Sequence, residues 1–186
     1  MFFEAFYENG RLKSSLNNAD GSSDIGLFDT VQIKLYDSIS NAIVYTIKSI
    51  ADTGGVCQIM IPSAYAGSRY YIGVKHRGSI ETWTNSSVLL NNGILYNFTT
   101  AASKAYGDNL VNDGTGIYLI YNGDVNQDGS VDFNDYPDLD IGSINGDFGY
   151  FPTDLNGDAS VDFNDYPILD INSINGVLAL TPIIYN

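Results

Sequence analysis

Two stretches of the chain, Asp124-Val125-Asn126-Gln127-Asp128-Gly129-Ser130-Val131-Asp132-Phe133-Asn134-Asp135 and Asp154-Leu155-Asn156-Gly157-Asp158-Ala159-Ser160-Val161-Asp162-Phe163-Asn164-Asp165, are one twelve-residue pattern written twice. Extended to residues 124–146 and 154–176, the alignment has 18 identities in 23 positions, too many for chance. Oxygen-bearing side chains fall at positions 1, 3, 5, 9 and 12 of each copy. Alternate residues of a tightly coiled loop can point inward, and calcium takes six to eight oxygens at about 2.3–2.6 Å. The pattern therefore predicts two calcium ions. One is held by Asp124, Asn126, Asp128, Ser130, Asp132 and Asp135, the other by Asp154, Asn156, Asp158, Ser160, Asp162 and Asp165. Position 7, Ser130 or Ser160, contributes its backbone carbonyl, and position 9 often acts through a water. Magnesium suits such a loop less, because it demands near-octahedral geometry and keeps its waters.

Position 6 makes the sharp turn. Gly129 does so without strain, whereas Ala159 in a left-handed conformation costs about 1–2 kcal/mol. The second loop is accordingly expected to be the weaker site, and Ala159→Gly to tighten it. Val131 and Val161, at position 8, are expected to pair the loops or enter a small core. After each loop, Leu139, Ile141 and Ile144, and Leu169, Ile171 and Ile174, read as a short helix, with Pro137 and Pro167 tolerable only in its first turn.

Outward from the repeat, the chain changes character near Asn122-Gly123. The 186 residues carry a net charge of -14, and all eight basic residues precede residue 105. Residues 122–186 hold twelve Asp and no Lys or Arg, while residues 1–121 balance to -2. Charge of this density repels itself unless cations neutralise it, and it argues against nucleic acid and anionic membranes as partners. No apolar run reaches the roughly 20 residues that a membrane span needs. The first residues, Met1-Phe2-Phe3-Glu4, lack the features of a signal peptide, so for an exported protein the signal is expected upstream.

Residues 1–121 carry eight β-branched and aromatic runs, at 2–7, 30–36, 42–47, 56–61, 69–75, 80–84, 94–99 and 116–121. Turn residues separate them and no helical period intervenes, which predicts a mainly β, antiparallel β-sandwich. Cys57 is expected in a strand and in the core. His76, between Lys75 and Arg77, looks like the exposed end of a strand. With no base beside a nucleophile and no phosphate loop, no catalytic chemistry is expected. Trp83 is expected to fill the core, ahead of a reading in which Lys75 to Trp83 form an exposed partner patch.

The duplicated loop, ending in Asp where an ordinary EF-hand ends in Glu and followed each time by one helix, resembles the dockerin domain. The β-sandwich upstream resembles the immunoglobulin-like X module that often accompanies dockerins. The resemblance implies residues 1–121 as an immunoglobulin-like β-sandwich and residues 122–186 as a small α-helical dockerin-like domain with two EF-hand-like calcium loops. It further implies a non-catalytic attachment module of a secreted or surface bacterial protein, bound to a cohesin-like or cell-surface partner. Positions 10 and 11, often a Ser-Thr-like pair in well-studied dockerins, are here Phe133-Asn134 and Phe163-Asn164, the candidate partner-binding residues. One of the two Phe rings, but not both, is expected to be buried against residues 1–121. Chelation is expected to melt residues 122–186 first. The alternatives are a purely structural calcium-stabilised unit, or a carbohydrate-binding module using Tyr and Trp83.

Overall fold

Val31, Ile33 and Leu35 alternate with Gln32 and Lys34, the period of a strand with one wet face. In the computed structural model, which describes residues 1–21 and 25–183, this run is the centre of strand β3 (Leu27–Asp37), its three aliphatic side chains buried. Two short strands, β1 (Tyr7–Glu8) and β2 (Arg11–Leu12), precede it, closed by Asn9 and Gly10 at positive φ, and followed by helix α1 (Ser15–Asp20). β3 pairs antiparallel with β4 (Ile43–Asp52) on one side and β5 (Arg69–Lys75) on the other. β6 (Thr82–Trp83) and β7 (Val88–Leu89) both pair with β5, completing a five-stranded sheet. A last ladder joins β8 (Val111–Asn112) to β9 (Tyr118–Leu119). The described structure is mainly antiparallel β with few helices, as expected.

Not every expected run becomes a strand. Residues 56–61 make one bridge, Ala51 to Cys57, before Pro62 removes a backbone donor, and Cys57 is half-buried. Residues 94–99 form no ladder, yet Phe98 is buried in the core. In such segments the side chain packs while the backbone bonds elsewhere, which the period of a sequence cannot reveal. Trp83 is buried, as expected, and stacked on Tyr36 at 3.7 Å.

His76 is not at an exposed strand end. It is buried among Phe3, Phe6 and Phe28, ring centroids 5.0, 4.9 and 5.1 Å away. Its Nε2 lies 2.9 Å from Asp29 Oδ2 and its Nδ1 accepts from the Gly78 N–H, so a neutral ring protonated on Nε2 satisfies both contacts. Burial lowers the His76 pKa against the pull of Asp29. For Asp29, burial pushes upward, but the His76 hydrogen bond, the Arg77 charge and the Tyr150 hydroxyl outweigh it and hold the carboxyl well below the usual range. Below pH about 6.5 the unfolded chain takes up a proton on His76 that the folded chain refuses, and below about 4 another on Asp29. In each window the unfolded state binds more protons, so these two groups make stability rise with pH and fall as the solution is acidified. Asp29→Asn is expected to flatten the lower limb of a urea-midpoint profile between pH 3 and 7; an unchanged limb would show that Asp29 does not set it.

Beyond residue 122 the chain forms helices α2 (Tyr136–Asn145) and α3 (Tyr166–Ile174), each with its Pro in the first turn, as expected. Val125, Val131, Leu139, Leu155, Val161, Leu169 and Val177 make a second apolar cluster, to which Ile80 of the first part belongs. Val131 and Val161 thus enter the core. The loops do not pair with each other. Each pairs with the segment after the other copy's helix: Val131 N–H donates to Val177 at 2.8 Å and Val161 N–H to Asp147 at 2.9 Å. Tyr136 donates to Asp170 and Tyr166 to Asp140, both at 2.7 Å. The repeat therefore has a near-twofold arrangement. Residues 184–186, the end of the expected second domain, lie outside the described residues.

The two parts share a polar and apolar seam. Asn122 donates to Gly78 at 3.0 Å and accepts from the Ala5 N–H at 3.2 Å; Asn172 donates to Glu4 at 2.7 Å and to the Asn122 carbonyl at 2.8 Å. Gly157 has φ 74°, and a Cβ there would lie 2.7 Å from the Phe6 ring, so only glycine allows this approach.

Candidate metal-binding loops

The loops are built alike from position 12 inward. Asp135 takes the N–H groups of Val125 (2.7 Å), Asn126 (3.0 Å) and Asp132 (2.9 Å); Asp165 takes those of Leu155 (2.7 Å), Asn156 (2.9 Å) and Asp162 (2.9 Å). A carboxylate so placed closes the loop on itself, its two ends held by one side chain. Asn126 and Asp128, like Asn156 and Asp158, accept N–H groups two residues on, the Asx-turn geometry that coils the chain. Asp132 and Asp162 accept from Asn134 and Asn164 at 2.7 and 2.8 Å, starting the turn into each helix.

Position 1 differs between the copies. Both Asp154 oxygens are engaged: Oδ1 takes Gly157 and Asp158 N–H groups at 2.7 and 3.2 Å, Oδ2 that of Ala159 at 3.2 Å. Asp124 Oδ2 takes the Gly129 N–H at 3.2 Å, but Asp124 Oδ1 is buried with no hydrogen-bond partner among the described residues. Each position-1 carboxylate also faces one cation of the first part. Lys75 Nζ lies 4.0 Å from Asp124 Oδ2, and Arg77 Nη2 lies 3.7 Å from Asp154 Oδ2.

Burial dominates the electrostatics. It pushes Asp124 up to about 6 against the pull of Lys75 and the Gly129 N–H, and Asp165 up to about 6 against three N–H bonds. Asp135 and Asp154 are raised for the same first reason. Four carboxylates are thus buried at a cost that a bound cation would offset.

The donor chemistry fits calcium, being all oxygen at the expected spacing, and the unsatisfied Asp124 Oδ1 is an acceptor with nothing else to meet it. Among the described residues, no three His, Cys, Asp or Glu side chains gather closely enough to hold a metal ion. The loops mix Asn, Ser and backbone oxygens with their carboxylates, so such a grouping is not their only way to ligate. Oxygens that accept one N–H keep a second lone pair.

Ala159 adopts φ 72°, the left-handed turn expected of position 6, and Gly129 matches it at 94°. Ala159 is also buried, so glycine would lose a buried methyl worth about 0.8 kcal/mol and gain chain entropy against folding of about 0.5–1 kcal/mol. These offset the 1–2 kcal/mol of strain relief. Ala159→Gly is therefore expected to change stability by less than about 1 kcal/mol, read as a urea midpoint; a gain of 2 kcal/mol would mean the methyl packs poorly.

Phe133 and Phe163 are 80% and 85% exposed, and Asn134 and Asn164 are exposed too. The expectation that one ring would be buried is corrected. Residues 1–121 meet the loops at their entrance, at positions 1, 3 and 4, not at 10 and 11: besides the two cations at position 1, Lys13 donates to Asn156 at 2.9 Å, Asn18 to Gly157 at 2.7 Å, and Gln127 to Arg77 at 3.0 Å. Ile141, Ile144, Ile171 and Ile174, on the helices that follow, are exposed as well. The site residues missed by the sequence reading are Lys75, Arg77 and Gln127. The first two fall in the Lys75 to Trp83 stretch of the alternative partner-patch reading, but nothing local to it points to the loops.

No protein-family model, curated protein or solved structure matches the chain. Among the described residues, no helix is long and apolar enough to cross a membrane.

Proposed function

We propose that residues 122–186 are a dockerin-like domain whose two EF-hand-like loops each hold one calcium ion, through Asp124, Asn126, Asp128, Ser130, Asp132 and Asp135 and their counterparts thirty residues on. Residues 1–121 are an immunoglobulin-like β-sandwich of the X-module kind that carries it, the five-stranded sheet forming one layer. The pair is a non-catalytic attachment unit of a larger secreted or surface bacterial protein. The reading is supported above all by the buried Asp124 Oδ1, unpartnered among the described residues, inside a loop whose position-12 hydrogen bonds recur in the second copy. Calcium, once bound, supplies the charge that offsets four buried carboxylates. Asp135 and Asp165 hold the loop ends together, and α2 and α3 carry the surface that a partner would meet.

That surface is two equivalent apolar patches, centred on Phe133 with Asn134 and on Phe163 with Asn164, in a segment of charge -12. Large apolar side chains left in water at such density mark an interaction site. A partner of complementary chemistry, cohesin-like or a surface component, has an apolar centre and a basic rim. Isothermal titration with calcium should give two sites, and magnesium should bind far more weakly. No heat and no bound metal at millimolar calcium would overturn the reading.

The seam between the two parts favours a second reading, in which the loops only stabilise the chain's fold. Phe133→Ser with Phe163→Ser separates the two, since it abolishes attachment to a calcium-dependent partner and leaves stability nearly unchanged. For a carbohydrate-binding module, Trp83 is buried and offers no stacking face.

A further inference from the structure

The first part of the chain sets one cation against position 1 of each loop. Lys75 closes β5, and Arg77 lies two residues on; their side chains reach Asp124 and Asp154, position 1 of the first and second loop, at 4.0 and 3.7 Å. Both carboxylates are almost wholly buried, and both cations are largely covered. Of the eight basic residues, Lys13 also meets the second loop, at the Asn156 carbonyl, but only Lys75 and Arg77 face a position-1 carboxylate, equivalent places in a repeat that contains no basic residue of its own. We propose that Lys75 and Arg77 are built-in counter-cations that set the calcium affinity of the two loops, each competing with the ion for the position-1 carboxylate. The proposal rests on the calcium reading above.

The two competitors differ in how easily they yield. Lys75 carries its charge on a flexible stem, its one hydrogen bond among the described residues goes to the Gln127 carbonyl at 3.3 Å, and it borders a cleft of about 300 Å³ lined also by Thr30, Gln32, Lys34 and Lys48, so nothing pins it at Asp124. Arg77 cannot withdraw. Its Nε donates to Asp29 at 3.0 Å, its Nη1 to the carbonyls of Asp154 at 3.0 Å and of Phe151, and its guanidinium lies over Tyr150 at 4.8 Å. A fixed positive charge beside a cation site repels the ion at every moment, whereas a mobile one need only leave. The first loop therefore fills at lower calcium than the second, and in the absence of calcium the ammonium of Lys75 partly neutralises Asp124.

The test is calcium titration of the full chain, by calorimetry and by thermal melting, for the parent protein, Lys75→Met and Lys48→Met. Lys48 lines the same cleft from β4 and has no acidic partner within 4.0 Å among the described residues, so its variant makes the same change in net charge away from Asp124. Lys75→Met should tighten the first site about tenfold, leave the second within about twofold, and lower the melting midpoint in chelator while raising it in calcium. Equal effects of the two variants, or no tightening, would overturn the proposal and leave the calcium reading standing. A parent protein that binds no calcium would overturn both.

Discussion

Arg77→Met should destabilise the calcium-free chain by about 3–5 kcal/mol, the usual cost of removing one partner from a buried ion pair. Arg77 bonds Asp29, which is wholly buried, and lies 3.7 Å from Asp154, so its loss takes the guanidinium charge from two buried carboxylates at once. Asp29 keeps its His76 and Tyr150 contacts, and Asp154 its backbone N–H groups. Methionine keeps most of the apolar stem but loses the guanidinium that lies over Phe6 and Tyr150, and the measured loss therefore reports the charge, its hydrogen bonds and its ring contacts. Asp29→Asn in the same chain should recover part of the loss, because a neutral amide no longer needs the guanidinium. The coupling in that double-mutant cycle should exceed about 1 kcal/mol. Urea denaturation in chelator measures each value. A loss under 1 kcal/mol for Arg77→Met would mean that the seam is held by its apolar contacts alone.

The repeat, its turns and its helices are legible in the sequence because they rest on local chemistry. The spacing of oxygens, the turn at position 6 and the Pro137 and Pro167 restrictions all act within a dozen residues, and φ 72° at Ala159 follows from them. The central strand is legible for the same reason, through the alternation at Val31, Ile33 and Leu35. Contacts across the chain are not. His76 sits between two cations in sequence, which suggests solvent, yet the carboxylate that satisfies it comes from Asp29, 47 residues earlier. The exposure of both Phe133 and Phe163 has a similar origin. Covalent asymmetry at Asn122 does say that the first part must meet the repeat unequally. It does not say where, and the meeting point is the loop entrance, where Gly157 admits Phe6 and Gln127 reaches Arg77.

Saturating calcium should raise the melting temperature of the whole chain in one transition, rather than only that of residues 122–186. Binding to the folded state alone contributes about 2.7 kcal/mol per loop at calcium a hundredfold above the dissociation constant. For a chain of this length each kcal/mol moves the midpoint by about 2–4 °C, so two filled loops should shift it by about 10–20 °C. Independent melting, the expectation for a first part with its own core and a second part stabilised by its ligand, requires that the second part can leave the first intact. The seam argues against this. Ile80 is buried in the second apolar cluster, Asn172 bonds both Glu4 and Asn122, and Arg77 ties Asp29 to the second loop, so losing residues 122–186 exposes groups that the first part cannot satisfy. Trp83, the only tryptophan, reports the first part from β6 and lies on a strand that contributes nothing to either loop. Its fluorescence transition should move with calcium by as much as the far-ultraviolet circular dichroism does. A Trp83 transition indifferent to calcium, with a second calcium-dependent transition below it, would separate the two parts and return the loops to a role confined to their own domain.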